Sequence, residues 1–108
     1  MNDEKLKELI VEVAKSSSAF SHPLRIEIYR FILENNAKFK AVKNKDIVKK
    51  FKLAQSTTSE HLNKLSIGGL ISKKSKGTAT FYSANFVSVE KYLKNLDALV
   101  RILGEEID

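Results

Sequence analysis

At 108 residues, 43% hydrophobic and 30% charged, the chain is the size of one domain and too apolar for a disordered segment. It has no cysteine, which excludes disulfides, thiolate metal sites and thiol redox switches, and no apolar run nears the roughly 18 residues of a membrane span. The net charge of +6 is concentrated: from Asn44 to Thr80 eight lysines stand against Asp46 and Glu60, while the flanking segments nearly balance. A segment so basic attracts polyanions through phosphate contacts and counterion release, although lysines also simply solubilise small domains.

The opening MNDEKLKELI is acidic and amphipathic, unlike a secretory leader, and a cytoplasmic protein is expected. Asp3 to Ser18 reads as a helix with Leu6, Leu9, Ile10, Val13 and Ala14 on one stripe, stopped by Ser16-Ser17-Ser18. A second helix starts at Ser21-His22-Pro23, with Ser21 as the expected N-cap and proline in the first turn. Leu24, Ile28, Phe31 and Ile32 form its buried side, Asn35-Asn36 end it, and residues 37–43 read as a loop carrying Lys38, Lys40 and Lys43.

Asn44 to Leu70 is the stretch around which the chain is organised. It reads as a short helix with Ile47, Val48 and Phe51 inward, a tight turn, and a second helix ending at Gly68-Gly69. Thr58, Leu62 and Leu65 recur at i, i+4, i+7 on its inner face. Ser56, Ser59, Glu60 and Asn63 fall on the other side. Short hydroxyls and amides on an exposed helical face can approach base edges closely, as a helix-turn-helix reader requires. An ordinary amphipathic helix with a solvated face has the same pattern.

LISKKSKGTATFYSA then reads as a two-stranded hairpin with a basic tip at Lys74, Ser75, Lys76 and Gly77, the shape of a wing. From Phe86 to about Leu103 a heptad-like seam runs through Phe86, Val89, Leu93, Leu96, Val100, Leu103 and Ile107, widened by Tyr92 and Leu99. Glu105, Glu106 and Asp108 read as a frayed acidic tail. The first and last helices are each too apolar on one side to stand alone. They are expected to form a homodimer, in preference to a monomer that folds them inward, with Leu6, Ile10, Val89, Leu93, Leu96, Val100 and Leu103 at its interface.

The fold class expected is mainly α (α+β): four helices, a two-stranded wing and a C-terminal helix, in a single domain spanning residues 1–108. Its residues resemble the ArsR/SmtB family of winged helix-turn-helix transcriptional repressors. The matching words are Phe20-Ser21-His22-Pro23-Leu24-Arg25-Ile26-Glu27-Ile28, then Leu53 to Leu65 (LAQSTTSEHLNKL), then Gly69-Leu70-Ile71 with the wing to Phe81-Tyr82. They hold in order over roughly residues 5 to 105, and the first two strings are specific together, though weak singly.

The resemblance implies a homodimer on a palindromic operator, one reader helix per half-site, repressing transcription until a signal releases it. Carried over by position, Gln55, Ser56, Thr57 and Ser59 are candidates for base contact; Gln55 can pair bidentately with adenine. Asn63 lies on the same face. Lys74 and Lys76 are candidates for phosphate or minor-groove contact, and Lys64 and Arg25 for phosphate, Arg25 being equally well explained as a surface ion pair. Thr58 stands where the family usually has an apolar residue and is expected inward. Two departures bear on affinity. Glu60 occupies a groove-facing position where a carboxylate repels phosphate but can accept from cytosine N4, and Ala54 removes a helix cap of about 1 kcal/mol.

No metal, cofactor or catalytic role is expected. His22 and His61 are the only histidines and lie on different helices; the last helix has Glu90, Asp97, Glu105 and Glu106 but no histidine. Zinc-type sites need three or four convergent ligands, and no phosphate-binding glycine loop or nucleophile motif is present. The releasing signal stays open between an organic ligand at the dimer interface, a partner protein and none. The rival function is a winged helix used for protein association, which Glu60 slightly favours. The polar face and lysine-tipped wing favour DNA. Membrane-surface binding lacks an apolar face beside the lysines.

Overall fold

The computed structural model describes residues 2–107. The order is α1 (Asp3–Ala19), α2 (Pro23–Ala37), β1 (Val42–Lys43), α3 (Asn44–Phe51), α4 (Gln55–Ile67), β2 (Ile71–Lys76), β3 (Ala79–Ala84) and α5 (Phe86–Ile107). Asn2 caps α1, its side chain accepting from the Lys5 N–H at 2.9 Å. The serines at its end extend the helix rather than stop it. Ser17 Oγ meets Tyr92 Oη at 2.9 Å, and Ser16 Oγ donates to the Gly68 carbonyl at 3.4 Å, so tertiary partners offset their weak propensity.

α2 corrects the expected cap. His22 is the N-cap, its Nδ1 accepting from the Leu24 N–H at 3.1 Å, while Ser21 Oγ turns back to the Ser18 carbonyl. Ile28, Tyr29 and Ile32 are its buried residues, and Leu24 and Phe31 are half-buried. At its C-terminus Asn36 acts twice, accepting from the Ala84 N–H through Oδ1 and donating to the Lys40 carbonyl.

The segment read as a loop over residues 37–43 contains a strand. β1 pairs antiparallel with β3 (Val42↔Tyr82, Lys43↔Phe81), so the sheet has three strands in the order β1-β3-β2. The hairpin turn is Gly77-Thr78, with Gly77 at φ 64°, and β2 extends through Lys76. Lys74 therefore stands within a strand opposite Phe81 rather than at the tip. The core joins Ile28 and Ile32 of α2, Ile47 of α3, Leu62 and Leu65 of α4, and Leu70 beside the sheet.

α5 runs along α1 and continues as helix through Glu105 and Glu106, so these two are not frayed; Asp108 lies outside the described residues. None of its residues is buried. Val89, expected at the dimer seam, packs half-buried against the chain's own core. Leu93, Val100, Leu103 and Ile107 stay exposed, as does Ile10 of α1, while Leu6 and Leu96 are half-buried. The radius of gyration is 16.1 Å and the extents are 52 × 23 × 22 Å, against about 13 Å expected for a compact chain of 100 residues.

Candidate nucleic-acid interface

α3 sets the position of α4. Its N-terminus is held by Asp46, which accepts from the Lys43 N–H at 2.8 Å, and Lys52 closes it in the left-handed region at φ 54°. Asn44 Nδ2 donates to Ser59 Oγ at 3.0 Å, tying the start of one helix to the middle of the next. Ala54 is the N-cap of α4 and supplies no side-chain bond, so the first N–H groups of α4 point outward unsatisfied by a cap. Thr58, Leu62 and Leu65 are buried, Thr58 completely, its hydroxyl finding no partner.

Gln55, Ser56, Thr57, Ser59, Glu60, Asn63 and Lys64 are all exposed. They form one polar outer surface on α4, with Glu60 in its midst. Ser59 is the one member already engaged. Its oxygen accepts from Asn44, which leaves its hydrogen free to donate and makes Asn44 part of the arrangement.

The sheet places Lys43, Phe81 and Lys74 in one cross-strand row, with Lys43 Nζ 5.2 Å from the Phe81 ring centre. Lys73, Lys74 and Lys76 are exposed on β2. Lys43 belongs to this basic sheet surface only because β1 exists, and a two-residue strand has no periodicity to read. Arg25 is half-buried; its Nη2 donates to Ser21 Oγ at 3.3 Å rather than to a carboxylate, and its Nε has no partner.

The two histidines, distant in sequence, meet where α2 begins beside α4, with ring centres 5.0 Å apart. His22 uses Nδ1 as the helix cap, which places its proton on Nε2 in the neutral form. His61 Nδ1 is buried without a partner. Burial holds the His61 imidazole below its ordinary range, the nearby His22 and Arg25 add to this, and Glu60 opposes it. Among the described residues no group of three or more His, Asp and Glu side chains converges as a metal ion requires. No helix of the structure is long and apolar enough to cross a membrane among the described residues.

The family described as "Bacterial regulatory protein, arsR family" matches residues 22–73, from the cap of α2 to the start of the wing. The transcriptional repressor PagR of Bacillus anthracis is 31% identical over 98 residues, spanning 90% of this chain and 94% of that protein. An ArsR-like transcriptional regulator from Rhodococcus sp. RHA1 superposes with a TM-score of 0.73 at 18% identity, covering 91% of this chain and 88% of that one. A Mycobacterium bovis protein, Mb0332, described as a homodimeric winged helix-turn-helix DNA-binding domain, superposes at 0.71 with 21% identity, covering 98% and 89%.

Proposed function

Because this chain belongs to the arsR family of bacterial regulatory proteins, we propose that it is a dimeric, sequence-specific DNA-binding repressor of transcription. It acts in the cytoplasm, without catalysis and without the metal sites of its family. The observation that carries this is the outer surface of α4, a row of short amides and hydroxyls beside a lysine-bearing hairpin.

In the complex each α4 enters the major groove over one half of a palindromic operator. Gln55 pairs bidentately with adenine, and the hydroxyls of Ser56, Thr57 and Ser59 donate or accept at base edges. Asn63 and Lys64 extend the contact along the helix. Lys74 and Lys76 reach phosphate or the minor groove, and Arg25 a phosphate at the start of α2. Glu60 selects for cytosine, whose N4 amine it can accept from, and weakens general phosphate affinity. Two copies join through α1 and α5, which covers Leu93, Val100 and Leu103. The relatives named repressor and homodimer support this assembly.

The test is a fluorescence-anisotropy titration of the upstream intergenic DNA of its own gene against a scrambled duplex at two salt concentrations. Tight binding to the first, weakening with salt, is expected. Weak binding that is equal on both duplexes overturns the proposal.

A further inference from the structure

Between α2, β1 and α3 there is an open cleft of about 540 Å³, within the range of roughly 300–1,000 Å³ usual for small-molecule sites. Phe31 and Asn35 of α2 form one wall, Lys40 to Val42 the end, and Asp46, Lys49 and Lys50 of α3 the other wall. Its apolar surface is Phe31, which stacks edge-on against Phe51 at 5.8 Å, with Ala41 and Val42.

Lys40, Lys49 and Lys50 are exposed around this surface, and none is in an ion pair among the described residues. The one acid of the cleft, Asp46, accepts from the Lys43 N–H through Oδ2 and keeps its charge, so three lysines stand against one carboxylate. Asn35 has given its amino group to the Phe31 carbonyl at 2.8 Å, which leaves its oxygen as an acceptor. The excess of lysine beside an aromatic wall favours an anion with an apolar body.

DNA is the wrong occupant. Asn44, Lys45 and Val48 line the shallow groove that meets Gln55, on the reader side of α3. Asp46 and Lys50 project from nearly the opposite side, roughly 150–170° away at 100° per residue, with Lys49 between the two sides, about 40° from Lys45. Beyond Phe31 and Lys50 a smaller groove continues past Phe51, and its walls carry Glu27 and Glu34 together with Arg30, which is paired with Glu34. Its acids and bases balance, so it adds no net charge, and Phe31 and Phe51 offer contact to an apolar tail.

We propose that this α2–β1–α3 cleft binds a small organic monoanion, its charged head among Lys40, Lys49 and Lys50 and its apolar body against Phe31. The site belongs to a single chain and does not depend on DNA or on the dimer seam. Because α3 forms one wall and also holds α4 through the Asn44–Ser59 bond, the occupied cleft lies one hydrogen bond from the reader helix.

The test is a titration of ¹⁵N-labelled full-length protein with naphthalene-2-carboxylate, and in parallel with its uncharged carboxamide, followed by amide shifts. Saturable shifts at Ala41, Val42, Asp46 and Lys49 are expected, with the carboxamide about tenfold or more weaker. The double variant Lys49→Glu, Lys50→Glu, which alters only exposed side chains, should lose that preference for the carboxylate. Ala41→Trp, which fills the cleft without changing charge, should weaken both ligands. Equal affinity for the two ligands, unchanged binding in the variants, or shifts confined to the exposed faces of α1 and α5 each overturn the proposal. So would a DNA duplex that shifts the cleft amides as strongly as those of α4.

Discussion

Gln55 is the first residue of α4 and is free on the surface, preceded by an Ala54 that offers no competing hydrogen bond. Its amide is therefore available for a base. Gln55→Ala is expected to cost about 1–3 kcal/mol on the correct operator and little on random DNA. An equal loss on both duplexes in anisotropy titrations would make it a positioning contact instead. His61 behaves differently, because its folded value lies below the ordinary 6.5. As pH falls, the unfolded chain takes up the proton first, so stability is full above about 6.5 and declines from there toward the lower folded value. Thermal melts between pH 7.5 and 5.5 should show this decline, and it should be shallower in His61→Gln. Parallel curves for the two proteins would remove His61 from the pH dependence.

The same sequence feature, apolar residues at helical spacing, has different outcomes in different elements. In α4 the set Thr58, Leu62 and Leu65 is wholly inward. In α5 it is split: Tyr92 bonds to Ser17 of α1 and Val89 joins the core, while Leu93 remains 67% and Val100 58% exposed. Exposure on that scale along a helix is a surface awaiting a partner. Leu93 and Val100 contribute little to their own chain's core, so Leu93→Asp with Val100→Asp should leave a folded protein that sediments as a monomer. A folded variant that remains dimeric would refute the seam. α1 has its own constraint at the other end. A Cβ added at Gly68 would lie 2.5 Å from the Ala19 Cβ, so the end of α4 approaches α1 too closely for any other residue.

Across the whole molecule the charge and the shape separate. The basic excess lies on α3 and the sheet, and most of the exposed large apolar residues lie on α1 and α5. One end is suited to a polyanion and the other to a second copy. Neutralising Lys74 and Lys76 by Lys→Gln should weaken binding alike on every DNA sequence and flatten the salt slope, by about 0.9 for each phosphate that the wing no longer neutralises. Unchanged affinity and slope would remove the wing from the mechanism.

The order of the helices, the inward set Thr58, Leu62 and Leu65, and the exposed polar face of α4 were legible in the sequence. Each follows from a local period that burial then obeys. The glycines after α4 and the cap missing at Ala54 were equally local. What only the tertiary structure decided rests on contacts between distant segments. β1 is a strand because β3 lies beside residues 42 and 43. The serines ending α1 stay helical because Tyr92 and the Gly68 carbonyl receive their hydroxyls. The two histidines, the Asn44–Ser59 bond and the lysine-rimmed cleft likewise come from packing α2 against α3 and α4, and no sequence period records which side chains that packing brings together.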